Sequence, residues 1–323
     1  MRTSIRRFLS SASRDDPFSQ FGPILKPSVY NKKETRPSGK YDHLSEFGPN
    51  KTKKSALKEH RSKEIFLKKP SHKGVKDESV FPLTSCSRPL TVSPLAELGH
   101  SSVLRLPFTH SPACPSVSRV LSATMSEQSR ATLARWEAEK IALLGLDGFK
   151  KYKAEMFSRG KTLHSILENF LETRQLPSPS DLDDEVSKRH LVSVSQVVRS
   201  VDRPLALESA VTHRELGYSG IVDCVAVIGS TLTLIDWKTS EKVKNSAAAL
   251  YDNPLQVAAY VGAVNADPAY ESLGTITHGA VVVIYNTGYP AMLHTFDQAQ
   301  LEKYWKLWCE RLKMYKQHHV KQK

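Results

Sequence analysis

The stretch that decides the fold is VDCVAVIGSTLTLIDWK, at residues 222–238. Two runs rich in β-branched and other apolar residues flank a Gly-Ser pair at 229–230. A glycine at the first central position suits a two-residue type II′ turn, a common connection in β-hairpins. The stretch therefore predicts a hairpin in which Ile228 pairs with Thr231.

In this register, two aspartates lie opposite each other near the open end of the hairpin. Asp223 faces Asp236, and period-2 alternation puts Lys238 on the same face of the strands. The other residues of that face are apolar: Val225, Val227, Leu232 and Leu234. Like charges on directly opposed residues are destabilising, so the two carboxylates need a compensating charge.

A divalent cation is the compensation that this pattern predicts. Carboxylate oxygens are hard ligands that hold Mg²⁺ or Mn²⁺. Lys238 can then orient an attacking water or stabilise charge on a phosphoryl oxygen. The structural alternative is an ordinary ion pair between Asp236 and Lys238, which leaves Asp223 unexplained. The assignment depends on the register, because a single β-bulge would turn Asp223 to the other face.

The segments around the hairpin predict an α/β domain. Capping residues and apolar residues at helical spacing predict helices at 126–144, 149–174 and 185–200, and further helices starting at about 253 and 297. Segments rich in β-formers predict strands at 205–214, 219–228, 231–238, 279–286 and 290–296.

The positive charge of the chain is concentrated in its N-terminal third. The net charge is +13, and residues 1–110 hold 21 Lys and Arg against 10 Asp and Glu, whereas the remaining residues hold 25 against 23. Such a lysine-, proline- and serine-rich stretch buries too little apolar area to offset its ordering entropy. The sequence predicts a basic, largely disordered region at 21–112 and a folded domain at 113–323. The basic charge suits either nucleic acid or simple solvation.

The N-terminus itself, MRTSIRRFLSSASR, contains four arginines and no acidic residue before Asp15. As a helix it would be amphipathic, and it is rich in serine. These are the features of a mitochondrial transit peptide, which we place at 1–20. A disordered basic terminus is the alternative.

Cysteine usage and hydropathy exclude several classes of protein. Cys86, Cys114, Cys224 and Cys309 form no CxxC pair, so neither a zinc ribbon nor a disulfide framework is indicated. Apolar runs such as AVVVIY at 280–285 are far shorter than the roughly 18 residues of a spanning helix. The sequence predicts a soluble intracellular protein with no membrane partner.

Four motifs, in this order along the chain, resemble the RecB-type branch of the PD-(D/E)XK nucleases. They are GKTLHSILE at 160–168, GIVD at 220–223, IDWKTS at 235–240 and QVAAY at 256–260. The resemblance covers about residues 115–316 and departs from the family name at one position, where valine instead of proline precedes the first aspartate. It implies a restriction-endonuclease-like α/β core, with a central mixed sheet flanked by helices and with N-terminal helical elements.

The resemblance also implies roles for the residues that match these motifs. Asp223, Asp236 and His164 would be the ligands of Mg²⁺ or Mn²⁺. The Trp237 carbonyl would be a further candidate ligand, and Lys238 would be the catalytic lysine.

Four other residues belong to the same expected site or lie close to it. Gln256 and Tyr260, one helical turn apart, match the motif that supports the lysine and contacts substrate near the scissile phosphate. Glu168 shares a helix face with the motif histidine and either orients its ring or is solvated. Glu208 lies just before the hairpin and either joins the site or pairs with a basic residue.

The function that the resemblance implies is a metal-dependent exonuclease of the mitochondrial matrix, acting on single-stranded DNA with a free end. It would trim flaps and displaced strands during mitochondrial DNA replication and repair, as a monomer, with mitochondrial replication proteins as candidate partners. Two alternatives stay open. One is a structure-specific endonuclease or RNase that uses the same site, and the other is a nucleic-acid-binding protein without catalytic activity.

Overall fold

The computed structural model of this chain describes residues 82–84, 103–108, 114–175, 177 and 179–320, without the side chains of the last two residues. The transit peptide that the sequence predicts at 1–20 lies outside the described residues. So does most of the basic region predicted at 21–112.

A five-stranded sheet forms the centre of the domain. Its strands are β1 Val201–His213, β2 Tyr218–Ile228, β3 Thr231–Ser240, β4 His278–Tyr285 and β5 Met292–Phe296, and their order in the sheet is β1-β2-β3-β4-β5. The pair β3–β4 is parallel, whereas the other three pairs are antiparallel. The sheet is therefore mixed, and the predicted fold class is confirmed.

Helices cover both faces of this sheet. They are α1 Val117–Ala123, α2 Glu127–Thr173, α3 Glu185–Arg199, α4 Asn253–Ala266 and α5 Gln298–Val320. Helices α1, α4 and α5 share one apolar core with the sheet, and α2 and α3 share a second core on the opposite face. None of the described helices combines the length and the hydropathy that crossing a bilayer requires.

The central hairpin has the register that the sequence predicts. Ile228 pairs with Thr231, and the ladder continues to the pair Cys224–Ile235. Gly229 has a φ of 61°, as the first central position of a type II′ turn requires. Alternate residues point to opposite faces, so Val225 and Leu234 join the α4–α5 core while Cys224 and Ile235 join the α2–α3 core.

The two strands of the hairpin separate beyond the pair Cys224–Ile235. At the next position, the Asp223 side chain takes the place of a backbone partner, because its Oδ2 accepts a hydrogen bond of 2.9 Å from the Trp237 N–H. Strand β2 continues its pairing with β1 beyond this point, while β3 continues its pairing with β4. The separation, which we call the strand fork, leaves a gap in the sheet beside two carboxylates.

Helix α2 folds back on itself at Gly145. This residue has φ 71° and ψ 169°, which no helical residue adopts. Trp136 and Phe149 would be about 20 Å apart in a straight helix, yet their ring centroids are 5.9 Å apart. The helix is therefore an αα-hairpin, in agreement with the predicted break between a helix ending near 144 and one starting near 149.

Short segments N-terminal to residue 113 pack against the domain. Leu83 is buried in the α4–α5 core. Leu104 forms a parallel bridge with β1, donating its N–H to the Leu205 carbonyl at 2.9 Å and accepting from the Leu207 N–H at 3.1 Å. Packing thus extends into residues that the sequence assigns to the basic region.

Candidate active site

The strand fork brings Asp236 and Lys238 together at its edge. Asp236 is 1% exposed, and its Oδ2 lies 2.6 Å from the Lys238 Nζ. Neither Asp236 oxygen accepts a well-directed hydrogen bond from a residue that the structure describes. A buried carboxylate with so few partners is costly. Its retention points to a further positive group at this place.

Asp223 is the second carboxylate of the fork. Burial and the negative charge of Asp236 raise the pKa of Asp223 to about 7, against the opposing effects of Lys238, His164 and the Trp237 N–H. Burial by itself would lower the pKa of Lys238, but the charges of Asp236 and Asp223 outweigh it and raise that pKa. The three groups therefore interact electrostatically, although Asp223 and Asp236 are not paired in the ladder as the sequence predicts, because the strands separate before that position.

His164 approaches the same fork from helix α2. Its Nδ1 lies 3.1 Å from Glu208 Oε1 and 3.8 Å from Asp223 Oδ1, and its Nε2 lies 3.3 Å from the Trp237 carbonyl oxygen. Burial lowers the pKa of His164, but the hydrogen bond with Glu208 and the charge of Asp223 outweigh this and raise it. Both ring nitrogens thus face oxygen atoms.

Helix α4 contributes the glutamine and tyrosine of the last motif. The Gln256 Nε2 donates to the Tyr260 Oη at 3.3 Å. Tyr260 is buried, and burial together with the charges of Asp236 and Asp223 raises the pKa of its hydroxyl. A Cβ added at Gly220 would lie 2.5 Å from Cε1 of the Tyr260 ring. The glycine of the GIVD motif therefore gives the ring its place beside the fork.

The geometry of this site is accompanied by a match to a known family. The family model described as the PD-(D/E)XK nuclease superfamily matches residues 120–318. The chain belongs to this superfamily. The family assignment made from the four motifs is thereby confirmed.

Curated relatives of this superfamily member carry one common name, mitochondrial genome maintenance exonuclease 1. The mouse protein is 34% identical over 322 residues, which cover 96% of this chain and 92% of the mouse protein. The human protein is 40% identical over 212 residues, covering 66% of this chain and 60% of the human protein. The Xenopus tropicalis protein is 42% identical over 202 residues, covering 62% of this chain and 57% of the frog protein.

Glu208 is brought into the site although the sequence left its role open. One ligand atom from each of His164, Glu208 and Asp223 lies within 4.8 Å of the other two. Strand β1 places Glu208 between the pairs Leu207–Cys224 and Ser209–Val222, which is opposite Asp223. Its φ of 41° is rare for a residue other than glycine, asparagine or aspartate. The one sequence signal that could have found it is its position opposite Asp223 in the neighbouring strand.

The predicted ligand set and the observed cluster overlap in two residues. His164 and Asp223 belong to both, whereas Asp236 lies outside the three-residue cluster among the described residues and contacts Lys238 instead. Glu168, which the sequence considered as a partner of the histidine, forms an ion pair with Arg105. Its carboxylate therefore neutralises an arginine.

The donor set of this superfamily member fits a divalent cation. Carboxylate and imidazole donors converge at the strand fork, and the buried Asp236 carboxylate beside them is short of partners. Oxygen-rich sites with one imidazole suit hard or borderline divalent ions. The cluster can hold such an ion, and Lys238 is the positive charge beside it.

Proposed function

We propose that this chain is a divalent-metal-dependent exonuclease that hydrolyses phosphodiester bonds of single-stranded DNA from a free end. Its setting would be the mitochondrial matrix, where it trims flaps and displaced strands in DNA maintenance. The observation that carries the proposal is the strand fork, which holds one buried carboxylate, one partly buried carboxylate and a lysine where the sheet opens. The names of the mouse, human and frog relatives support the exonuclease activity and the mitochondrial setting.

Four acidic or imidazole side chains would hold Mg²⁺ or Mn²⁺ in this mechanism: His164, Glu208, Asp223 and Asp236. When bound, such an ion lowers the pKa of a coordinated water and neutralises charge on the phosphate. Glu208 would also anchor the His164 ring through Nδ1, while Nε2 faces the Trp237 carbonyl, which is itself a candidate ligand.

Lys238 supplies a fixed positive charge for the reaction. Its Nζ is held by Asp236, and the charges of both fork carboxylates favour its protonated form. In this position the ammonium group orients the attacking water and stabilises the negative charge that grows on the phosphoryl oxygens. Gln256 and Tyr260 support the lysine and contact the substrate near the scissile phosphate.

A digestion assay with end-labelled oligonucleotides tests this proposal. Purified protein should shorten linear single-stranded DNA in Mg²⁺ or Mn²⁺, and EDTA should stop it. Circular single strands, duplex DNA and RNA of the same sequence should be degraded far more slowly. Lys238→Ala should abolish hydrolysis, whereas the matched surface variant Lys306→Ala on helix α5 should retain it.

Each other outcome of the assay favours a different activity. Cutting of circular single strands would indicate an endonuclease, and preferential loss of the RNA would indicate an RNase. Binding of single strands without degradation in either metal would indicate a non-catalytic protein. Equal degradation by wild type and Lys238→Ala would contradict the role given to the lysine.

A further inference from the structure

Lysine ammonium groups lie over aromatic rings at four places in the described residues. The pairs, with the distance from Nζ to the ring centroid, are Lys140–Tyr152 (4.5 Å), Lys153–Phe149 (5.3 Å), Lys161–Phe157 (5.4 Å) and Lys244–Tyr251 (4.5 Å). The four pairs divide into two kinds by charge and exposure.

Two of the pairs are internal to the fold. The Lys153 Nζ forms an ion pair of 3.2 Å with Glu137, and the Lys140 Nζ forms one of 3.3 Å with Glu241. The ring of Phe149 is 6% exposed. These lysines are neutralised, so they brace the αα-hairpin and its contact with the end of β3.

The other two pairs present their rings to solvent, and their lysines are exposed (Lys161) or partly exposed (Lys244). Phe157 is 68% exposed and Tyr251 is 62% exposed. Neither Lys161 nor Lys244 forms an ion pair with a carboxylate among the residues that the structure describes. An exposed ring beside an unneutralised lysine combines a stacking surface for a base with a positive charge for its phosphate.

The first exposed pair lies on the helix that carries His164. Phe157 precedes the histidine by seven residues and Lys161 precedes it by three, so all three side chains lie on one face of α2. The distance along the helix axis from Phe157 to His164 is about 10 Å. Roughly three stacked nucleotides, at about 3.4 Å each, span this distance.

The second exposed pair lies on the connection between β3 and α4, between Lys238 and Gln256. The Lys244 N–H donates to the Tyr285 Oη at 3.2 Å, which fixes this segment at the end of β4. Because β3 and β4 are parallel, their C-terminal ends share the edge of the sheet toward which Lys238 lies. The pair is thus attached to the same edge as the catalytic lysine.

The backbone of Tyr251 is an independent sign that the ring serves a purpose. Its φ of 54° and ψ of −125° lie outside the left-handed helical region, in a conformation that is strained for a bulky residue and that glycine adopts at lower cost. The fold by itself favours a smaller residue here. An exposed tyrosine kept in a strained conformation indicates a contact made by its side chain.

We infer that Phe157–Lys161 and Tyr251–Lys244 are two subsites that bind single-stranded nucleic acid, each stacking one base and pairing with one phosphate. One subsite lies on the helix that carries His164, and the other lies on the connection between Lys238 and Gln256. The inference rests on the proposed function and explains its strand preference, because only unpaired, unstacked bases offer a free face to an aromatic ring.

Fluorescence anisotropy with a 5′-labelled oligothymidylate, measured in EDTA so that no hydrolysis occurs, tests the two rings. Phe157→Ala and Tyr251→Asn should each weaken the Kd roughly five- to hundredfold, the range for loss of one base–aromatic stack. Leu307→Ala, which removes an exposed apolar side chain from helix α5, is the matched control and should leave the Kd unchanged. An oligonucleotide with abasic sites should bind wild type and the ring variants with similar affinity.

The salt dependence of the same measurement tests the two lysines. Lys161→Gln and Lys244→Gln should each reduce the slope of log Kd against log salt by about 0.7, the value for one phosphate contact with a single strand. Lys306→Gln is the control and should leave the slope unchanged. Unchanged slopes for Lys161→Gln and Lys244→Gln would overturn the phosphate contacts.

Thermal unfolding and digestion separate the ways in which the inference can fail. Tyr251→Gly, which also removes the ring, should unfold at an equal or higher temperature than wild type, because glycine adopts φ 54° and ψ −125° without strain. If Phe157→Ala lowers the Tm and leaves the Kd unchanged, the ring packs against the chain itself and the inference is overturned. In that case wild type can still digest single strands. Conversely, the two ring variants could raise the Kd as expected while wild type fails to digest single strands. That result would support the subsites and refute the exonuclease.

Discussion

Asp223→Asn should make the metal-free protein more stable while removing its response to metal. In the native state, burial and the charge of Asp236 raise the pKa of Asp223 from 3.8 to about 7. Each pH unit between these values corresponds to about 1.4 kcal/mol, so the ionised side chain destabilises the fold by up to about 4 kcal/mol above pH 7. Asparagine carries no charge, and its Oδ1 still accepts the hydrogen bond from the Trp237 N–H. Allowing for relaxation, we expect a gain of about 2 to 4 kcal/mol.

The sign of the pH dependence follows from the direction of this pKa. As the pH falls from about 7 toward 4, native Asp223 takes up a proton that the unfolded chain does not bind, so wild type gains stability. The excess stability of Asp223→Asn over wild type should therefore be largest at pH 8 and should vanish near pH 4. Urea unfolding in EDTA at several pH values measures it. Asp147→Asn, whose side chain is 93% exposed, is the control and should change the stability by less than about 0.5 kcal/mol.

Addition of Mn²⁺ provides the second half of the test. At a hundredfold excess over its Kd, a ligand that binds only the native state stabilises it by about 2.7 kcal/mol. Wild type should show this gain, and Asp223→Asn should show little of it. The reasoning is refuted if the variant in EDTA at pH 8 is no more stable than wild type, or if both proteins respond equally to the ion.

Three further predictions concern residues around the site and in the core. Gly220→Ala should push the ring of Tyr260 from its place and reduce hydrolysis at least tenfold, with a loss of about 1 to 3 kcal/mol of stability. Gly160→Ala is the control, because an added Cβ there meets nothing within 4 Å, and it should stabilise the helix by up to about 1 kcal/mol. Equal activity of both variants would argue against the steric role of Gly220. Glu208→Gln should weaken Mn²⁺ binding about 10- to 100-fold by isothermal titration calorimetry, because the side chain loses the charge with which it would hold the ion and anchor the histidine ring. An unchanged Kd would exclude Glu208 from the metal site. Burial and the charge of Lys316 lower the pKa of His213 to about 4. Between pH 4 and about 6.5 only the unfolded chain binds the proton, so the free energy of unfolding should fall by about 2 to 3 kcal/mol as the pH drops through this range. His213→Asn should remove that part of the pH dependence in urea unfolding, and an undiminished slope would show that other groups cause it.

The central hairpin was predictable because its determinants are local. Alternating apolar residues fix which face each side chain occupies, and one glycine fixes the turn, so the register from Ile228–Thr231 to Cys224–Ile235 follows from consecutive residues. The separation of the strands beyond that point was not predictable from the same pattern. It depends on the pairing of β2 with β1 and of β3 with β4, and the second of these pairings joins distant parts of the chain.

The candidate site was predictable only in part, for the same physical reason. Asp223, Asp236 and Lys238 follow from the hairpin, whereas His164 was found through its motif. Glu208 joins them through the pairing of β1 with β2, which places it opposite Asp223, between the pairs Leu207–Cys224 and Ser209–Val222. The hairpin of β2 and β3 by itself carries no information about this pairing. The roles of these residues stay predictions until the variants are measured.

The packing of isolated N-terminal residues was also beyond the sequence. The average composition of the basic region predicts disorder, and averages conceal single anchoring residues. The Leu83 carbonyl accepts a hydrogen bond from Asn265 of helix α4, and the Leu104 backbone is hydrogen-bonded to strand β1. One leucine in a polar stretch gives no periodic pattern by which to recognise it.

The fold-back of helix α2 depends on a single residue, and this has a consequence for association between chains. At φ 71° and ψ 169°, any residue other than glycine is disfavoured at position 145, whereas glycine itself is disfavoured in a continuous helix. A straightened α2 would carry residues 127–144 away from Phe149. The contacts that they lose could then form with the same segment of another molecule. A larger residue at position 145 would therefore favour an exchanged dimer, in which each chain restores the packing that the other loses.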